Sequence, residues 1–243
     1  MSHFMNWLGA FLNSLAFAPL FGVLITLGAF LFGQKLYRTS GQHPVLQPVI
    51  IGIVLVILFL LLLDVPYSQY YQSSYLLHAM LGPATVALAI PLFQNARRIR
   101  TLLLPILCTV TVGGTFTVSV AMAILWLLDA SSQSLLSMPT KSITTPIAVI
   151  VSEKIGGIPA LSALCVLLTG ALGAMLGIPI MNRLGIKDDG IRGLTLGLSA
   201  HALGTARALE ENDECAAFSA LAMSLTGVLT ALVLPFVVGW IAF

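Results

Sequence analysis

The sequence predicts an all-α polytopic membrane protein, and three observations carry that expectation. Only 8% of its 243 residues are charged, against about a quarter in soluble domains. Its mean hydropathy is +1.01. Uncharged runs long enough to span hydrocarbon as helices, about 20 residues, recur along the chain: Met1–Gln34, Thr39–Leu63, Val65–Asn95, Thr101–Leu128, Ile155–Asn182 and Cys215–Phe243. None alternates polar and apolar residues as the strands of a membrane barrel would. Residues 1–243 are therefore expected to form a single integral membrane domain. It should carry about six full transmembrane helices, plus broken or re-entrant segments.

The spans are placed near 16–36, 45–63, 76–95, 102–128, 158–182 and 216–240. Residues 3–15 are expected to lie at the membrane interface. Cytoplasmic loops collect lysine and arginine, so Lys35 with Arg38, and Arg97 with Arg98 and Arg100, are assigned to the inside. The cluster Arg183, Lys187 and Arg192 should return to that side. Only one crossing is then available between Asp129 and Arg183, and the run Ile155–Asn182 supplies it. The segment 139–154 must therefore enter and leave on one side, or pack inside the protein. Whether 194–209 crosses or re-enters stays open, and with it the side of the acidic group Glu210 to Glu214 and of the C-terminus. The three cysteines read as inert packing groups.

The segment 141-KSITTPIAVIVSEKIGG-157 breaks the apolar pattern. Pro146 removes a backbone donor and disfavours helix just before it. Broken helices occur inside membranes only where protein or water receives the freed groups. Lys141, Ser142, Thr144 and Thr145 put a cation and hydroxyls ahead of a helix starting near Pro146, whose free N–H groups and dipole favour an anion. That combination predicts a site for a small anion. The competing reading has Lys141 snorkelling to the interface; Asp129 and Glu153, the nearest acids, are each twelve residues away. Glu153 and Lys154 mark the interfacial end of the segment, with Glu153 a secondary candidate for ion coupling.

A second constellation is 199-SAHALGTARALEE-211. His201 and Thr205 are four apart and share a helix face, and Gly204 permits a tight turn or a close backbone contact. Arg207 could grip a carboxylate bidentately, or pair with Glu210 or Glu211. Ionisable groups inside membranes are functional candidates by default, so His201 is a candidate for substrate binding and for coupling. His78 reads as structural. Pro83, Ser142 and His201 are evenly spaced in Gly-, Pro- or hydroxyl-rich segments, each followed by a long apolar run. That suggests an internal repeat with helix breaks at Pro83, Pro146 and Gly204. No nucleophile–base pair, metal-ligand spacing or phosphate loop appears, so neither enzyme chemistry nor a cofactor is expected. The basic residues sit in short loops and do not suggest nucleic acid.

The strings KSITTPIAVIVSEKIGGIPAL, LLHAMLGPATVALAIPLF and SAHALGTARALEENDECAAFSALAMSLTGVLTAL resemble the LrgB/CidB family over roughly residues 20–240. That family includes bacterial inner-membrane proteins and the C-terminal half of the plastid glycolate/glycerate translocator. One departure is Ser199-Ala200-His201-Ala202, where the family usually reads Ser-Ser-His or Ser-His-Gly. The resemblance implies two functions. One is a holin- or antiholin-like modulator of murein hydrolase export and autolysis, beside a small LrgA/CidA-type membrane partner. The other is a carrier of small monocarboxylates such as glycolate, glycerate, lactate or pyruvate. The carrier is the function the sequence favours, because the clustering of charge and hydroxyls is more than a plain pore needs, and the holin-like role is the alternative. For the carrier, Lys141 and Arg207 would neutralise the carboxylate, and Thr144, Thr145 and Thr205 would bond the hydroxyl or keto oxygen. The expected setting is the bacterial inner membrane, as a homo-oligomer.

Overall fold

The computed structural model describes residues 20–41, 43–87 and 89–240, and every described helix and turn fits an all-α chain. The interfacial segment expected at 3–15 lies outside the described residues. The chain divides into two compact units, one ending at Ala87 and one beginning at Leu88.

In the first unit α1 (Phe21–Thr39) pairs with α2 (Pro48–Leu62), followed by the short α3 (Tyr67–Ser73) and by α4 (Tyr75–Ala87). Close packing of α1 on α2 uses Gly33, whose missing side chain leaves room for the Pro48 carbonyl and Ile51. Hydroxyls tie α3 to α1: Ser73 Oγ accepts from Gly22 N at 3.0 Å, and Thr26 Oγ1 lies 2.7 Å from the Tyr70 hydroxyl. His78 is held locally by the Ser74 carbonyl and the Tyr71 ring. Pro83 does not break α4, which runs through it to Ala87. A proline costs a membrane helix one backbone bond, which local adjustment can absorb. The first copy of the suggested repeat is therefore not a broken segment at Pro83.

The second unit holds α5 (Ala89–Gln94), α6 (Ala96–Thr101), α7 (Leu103–Leu127), α8 (Ser132–Ser137), α9 (Thr145–Lys154), α10 (Pro159–Arg183), α11 (Asp189–Glu211) and α12 (Asp213–Trp240). Among the described residues, four stretches are long and apolar enough to cross a membrane: Tyr75–Gln94, Leu103–Leu127, Pro159–Arg183 and Asp213–Trp240. The apolar α2, at 15 residues, extends only about 22 Å. Asp64 and Asp129 take left-handed φ values of 52° just past the ends of α2 and α7. The next amides, Val65 N and Ala130 N, reach back to Leu60 O and Leu125 O at 3.0 Å. These are C-terminal caps that stop each helix cleanly.

Two segments of this unit fold back on themselves. In the first, the chain from Ser137 through α9 returns to Ile158: Ser137 Oγ accepts from Ile158 N at 2.7 Å. Ser162 Oγ, on α10, donates to Ser137 O at 3.0 Å and lies 2.7 Å from Ser152 Oγ, closing the base. The segment 139–154 thus begins and ends at one place, as the charge distribution requires. Thr144 is the N-cap residue of α9 and Pro146 lies in its first turn, where the missing donor costs nothing.

The second is α11. His201 has φ 42° and ψ −127° inside the helical stretch, and the two arms run back against each other. A straight helix would separate Arg192 from Glu211 by about 28 Å, yet Arg192 Nη1 lies 3.8 Å from Glu211 Oε2. Gly204 of the return arm backs onto the Leu196 carbonyl of the outgoing arm. The break expected at Gly204 therefore sits at His201, and Gly204 serves as the close backbone contact. Residues 194–209 fold back as a hairpin rather than running straight on.

Small residues house this hairpin. Gly193 and Gly197 face the backbone of α12 at Cys215 and Ser219, a small-xxx-small contact that brings two helices together. On the other side Gly173 and Gly177 of α10 face Ala200 and Leu196. The cysteines differ in setting: Cys215 is buried, Cys165 half-buried and Cys108 exposed on α7. Packing inside the protein therefore describes Cys215 alone.

The open end of the hairpin is charged. Arg98 of α6 pairs with Asp188, at 2.7 Å, and with Glu214, and its guanidinium covers the Phe218 ring at 5.7 Å. Arg192 donates to Ile186 O and to Asn182 Oδ1 at 2.8 and 2.5 Å. Arg98, the loop after α10 and the start of α12 therefore share one face, as the positive-inside assignment of Arg98 and Arg192 expects. Glu210 to Glu214 join that face because α11 folds back. The 28 residues of α12 then carry Trp240 about 42 Å away, to the opposite side.

A side chain at Gly197 would collide with the Ser219 carbonyl. Gly197→Leu is expected to destabilise the protein by about 1–3 kcal/mol, read as a lower melting temperature in detergent; an unchanged melting temperature would refute the close packing. The Ile191 amide, 2.9 Å from Asp188 Oδ1, and then Arg98 hold the Asp188 carboxyl below the usual carboxylate range. A depressed carboxylate stabilises the fold above its unfolded value and loses that contribution as pH falls through the folded one. Melting temperature should therefore fall below about pH 4, and Asp188→Asn should flatten that acid limb.

Candidate functional site

Both hairpins reach α10 at the same level. Ile143 and Ala148 of the first pack with Val166 in one buried cluster, and Cys165 stands within electrostatic range of Lys141. His201, at the tip of the second, bonds the Val166 carbonyl through Nε2 at 2.9 Å. The approach is possible because Gly170 has no side chain; a Cβ there would lie 2.6 Å from the ring.

Lys141 follows a turn of 3₁₀ helix, Met138–Thr140, and is half-buried. Its Nζ donates to Ser142 Oγ at 3.1 Å, and it makes no ion pair among the described residues. Ser142 is buried and, with Pro139, walls a cavity of about 300 Å³ between α7 and α12. The ammonium is thus one hydroxyl away from that space, whose volume is at the lower end for small-molecule sites. Thr144 is half-buried, whereas Thr145 and Pro146 are exposed. Glu153 and Lys154 lie exposed at the end of α9.

The cavity adds residues that sequence reasoning missed. Thr111, Thr115 and Ser119 of α7 and Thr226 and Thr230 of α12 line it beside valine and leucine. The signal was present as hydroxyls four apart within apolar runs, which share one helix face. Thr115 and Thr226 satisfy their own protons on the carbonyls of Thr111 and Ala222, each at 2.7 Å, so their oxygens keep acceptor capacity.

At the second tip, Thr205 is buried. Its Oγ1 donates to His201 O at 3.0 Å and lies 2.9 Å from Ser219 Oγ, locking the return arm to the break and to α12. His201 is 4% exposed. A carbonyl can only accept, so Nε2 carries the proton and Nδ1 presents a lone pair. That Nδ1 is buried without a hydrogen-bond partner. The backbone conformation itself costs about 1–3 kcal/mol for a residue with a side chain.

Arg207 does not join Lys141. Its guanidinium pairs with Glu210 at 3.1 Å and with Glu211 at 2.5 Å, and Glu211 in turn faces Arg192 at the charged end. From the Cys165 level to Asn182, which bonds Arg192, is about 25 Å along α10. The structure therefore brings Ile143 of the first hairpin and His201 of the second to Val166 of α10, holds Thr205 against Ser219 of α12, and places Arg207 with the acids that close the hairpin. Among the described residues, no cluster of three or more His, Cys, Asp or Glu could hold a metal.

A model of the LrgB-like family matches residues 26–240. The holin-like protein CidB of Staphylococcus epidermidis is 30% identical over 213 residues, 88% of this chain and 93% of that protein. The antiholin-like protein LrgB of Bacillus cereus is 30% identical over 217 residues, 89% and 94% of the two chains. The uncharacterized protein YwbG of Bacillus subtilis is 36% identical over 220 residues, 90% and 95%. No solved structure matches. With its multi-pass helices and a family match over most of its length, this chain belongs to the LrgB-like family.

Proposed function

We propose that the chain acts in the bacterial inner membrane as a holin- or antiholin-like protein, governing passage across the bilayer and through it murein hydrolase export. It would do so as an oligomer beside a small LrgA/CidA-type partner. The names of the CidB and LrgB relatives, matched almost end to end, carry this reading. Expressing the chain in a bacterium that lacks its own copy should change extracellular murein hydrolase activity on zymograms and the rate of autolysis. Identical zymograms and autolysis with and without the chain would refute it.

One observation favours a second reading, a carrier for small monocarboxylates. A half-buried lysine without an acid partner, bonded to Ser142 at the wall of a hydroxyl-lined cavity, is more than an unselective pore needs. Lys141 and Ser142 would hold the carboxylate, and Thr144 with the cavity hydroxyls would bond an adjacent hydroxyl or keto oxygen. Apolar walls from Val110, Val118 and Leu229 would meet the carbon chain. Arg207, neutralised by two glutamates, would serve this carrier by holding the second hairpin rather than the substrate.

Counterflow in proteoliposomes separates the two. A carrier exchanges labelled glycolate saturably, and Lys141→Ala lowers that exchange at least about tenfold, the size of losing one charge-assisted contact, while the protein still inserts. Leakage of unrelated solutes in proportion to protein, unaltered by Lys141→Ala, removes the carrier reading and leaves the first.

A further inference from the structure

We infer that His201 is a proton-binding site whose occupancy releases the tip of the second hairpin from α10. Four observations meet there. The ring is buried at the turn of a hairpin, and its residue holds a left-handed backbone. Nε2 is committed as donor to the Val166 carbonyl, and Nδ1 is a buried acceptor to which no protein group donates. The side chain is completely used on one nitrogen and wholly unused on the other.

The ligand follows from the space. Gly170 and the Val166 carbonyl press on the ring from α10, so no organic group fits against it, whereas a proton does. A proton on Nδ1 turns the ring into a donor at both nitrogens. The arrangement provides an acceptor for one of them only, and a buried donor without an acceptor is costly. Proton uptake therefore favours an arrangement in which the tip leaves its seat and Nδ1 reaches water or another acceptor. The seat suits such a movement: one ring bond and the glycine contacts of Gly170 and Gly173 hold the tip to α10, while ion pairs fix the open end.

The surrounding charges do not supply the missing partner. On α10 the ionisable groups are Cys165, beside Val166, and Arg183 at the charged end. On α12 they are Asp213, Glu214 and Cys215, all in its first turn. Along α11 itself Asp189 starts the outgoing arm, and Arg192, Arg207, Glu210 and Glu211 form the ion-pair group at the open end. The first hairpin presents Lys141 near Cys165, with Glu153 and Lys154 exposed at its far end. On α7, which packs on Leu198 through Gly113, the ionisable group is Cys108. No carboxylate lies within ion-pair distance of the ring among the described residues. The inference holds for either reading of the function, because it concerns the hairpin and not the solute.

The test uses the full chain in lipid bilayers with ring-¹⁵N-labelled histidine, titrated between pH 8 and pH 5, the range in which histidine changes charge. Signals that vanish in His201→Gln belong to His201. They should report the Nε2–H tautomer at the alkaline end and a doubly protonated ring at the acid end. Over the same range, amide exchange at 198–205, corrected for its intrinsic pH dependence, should rise at least about tenfold, a local opening made easier by proton binding. The exchange measurement on the unmodified chain stands even if His201→Gln fails to fold. A ring that stays neutral throughout, with Nδ1 bonded to a resident water, overturns the proposal. So does a ring that titrates while exchange at 198–205 stays flat.

Discussion

In the interior of a membrane the backbone has no water to bond, and an interrupted helix survives only if protein receives the groups it frees. The second unit is organised around meeting that demand twice. The base of the first hairpin is closed by Ser137, Ser152 and Ser162, three buried hydroxyls linked through oxygen to each other and to Ile158. The second is closed by Thr205, Ser219 and the His201 ring. Between the two hairpins stands α10, whose middle turns take contacts from both. Gly170 of α10 leaves the space for the His201 ring, and Gly193 and Gly197 of α11 let that helix lie against the α12 backbone.

Helix existence was largely legible in the amino-acid order because it rests on local chemistry. Helices ended just before Asp64, Asp129, Gly156 and Gly185, which take left-handed conformations, and α9 began beside Pro146. The hairpin nature of 139–154 was legible for another reason: positive charges on both flanking loops allowed only one crossing. That argument needs no contact, only a count. The charge count could not decide 194–209, because acids carry little orientational weight. What decided it was Arg192 meeting Glu211, a contact between residues nineteen apart in sequence.

The misplacements share a cause. Gly204 was read as a break because glycine tolerates unusual backbone angles, and Pro83 because proline lacks a donor. Yet the break falls on a histidine, and a helix runs through the proline. Local tolerance states where a chain could bend, whereas tertiary partners decide where it does. His201 bends because the Val166 carbonyl, the Thr205 hydroxyl and the space left by Gly170 together offset its backbone strain. Arg207 was read as a substrate group from its type and depth, and its two glutamate partners were already visible at i+3 and i+4. The hydroxyl face of α7 is not legible from charge, because the run Thr101–Leu128 that contains it carries none.

The distribution of restraints along the second hairpin has a mechanical consequence. Its open end is bound by Arg98, Asp188, Glu214, Arg192, Glu211, Arg207 and Glu210, a set of ion pairs joining three helices and a loop. Such pairs are individually weak where solvent reaches them, but moving the open end would require several to part together. The tip is attached to α10 by a single ring bond and close glycine contacts. Displacement is therefore easiest at the tip. A fold that ties a hairpin at its charged base by several ion pairs, and its tip to α10 by one ring bond and to α12 by the Thr205–Ser219 contact, leaves the tip the less restrained end.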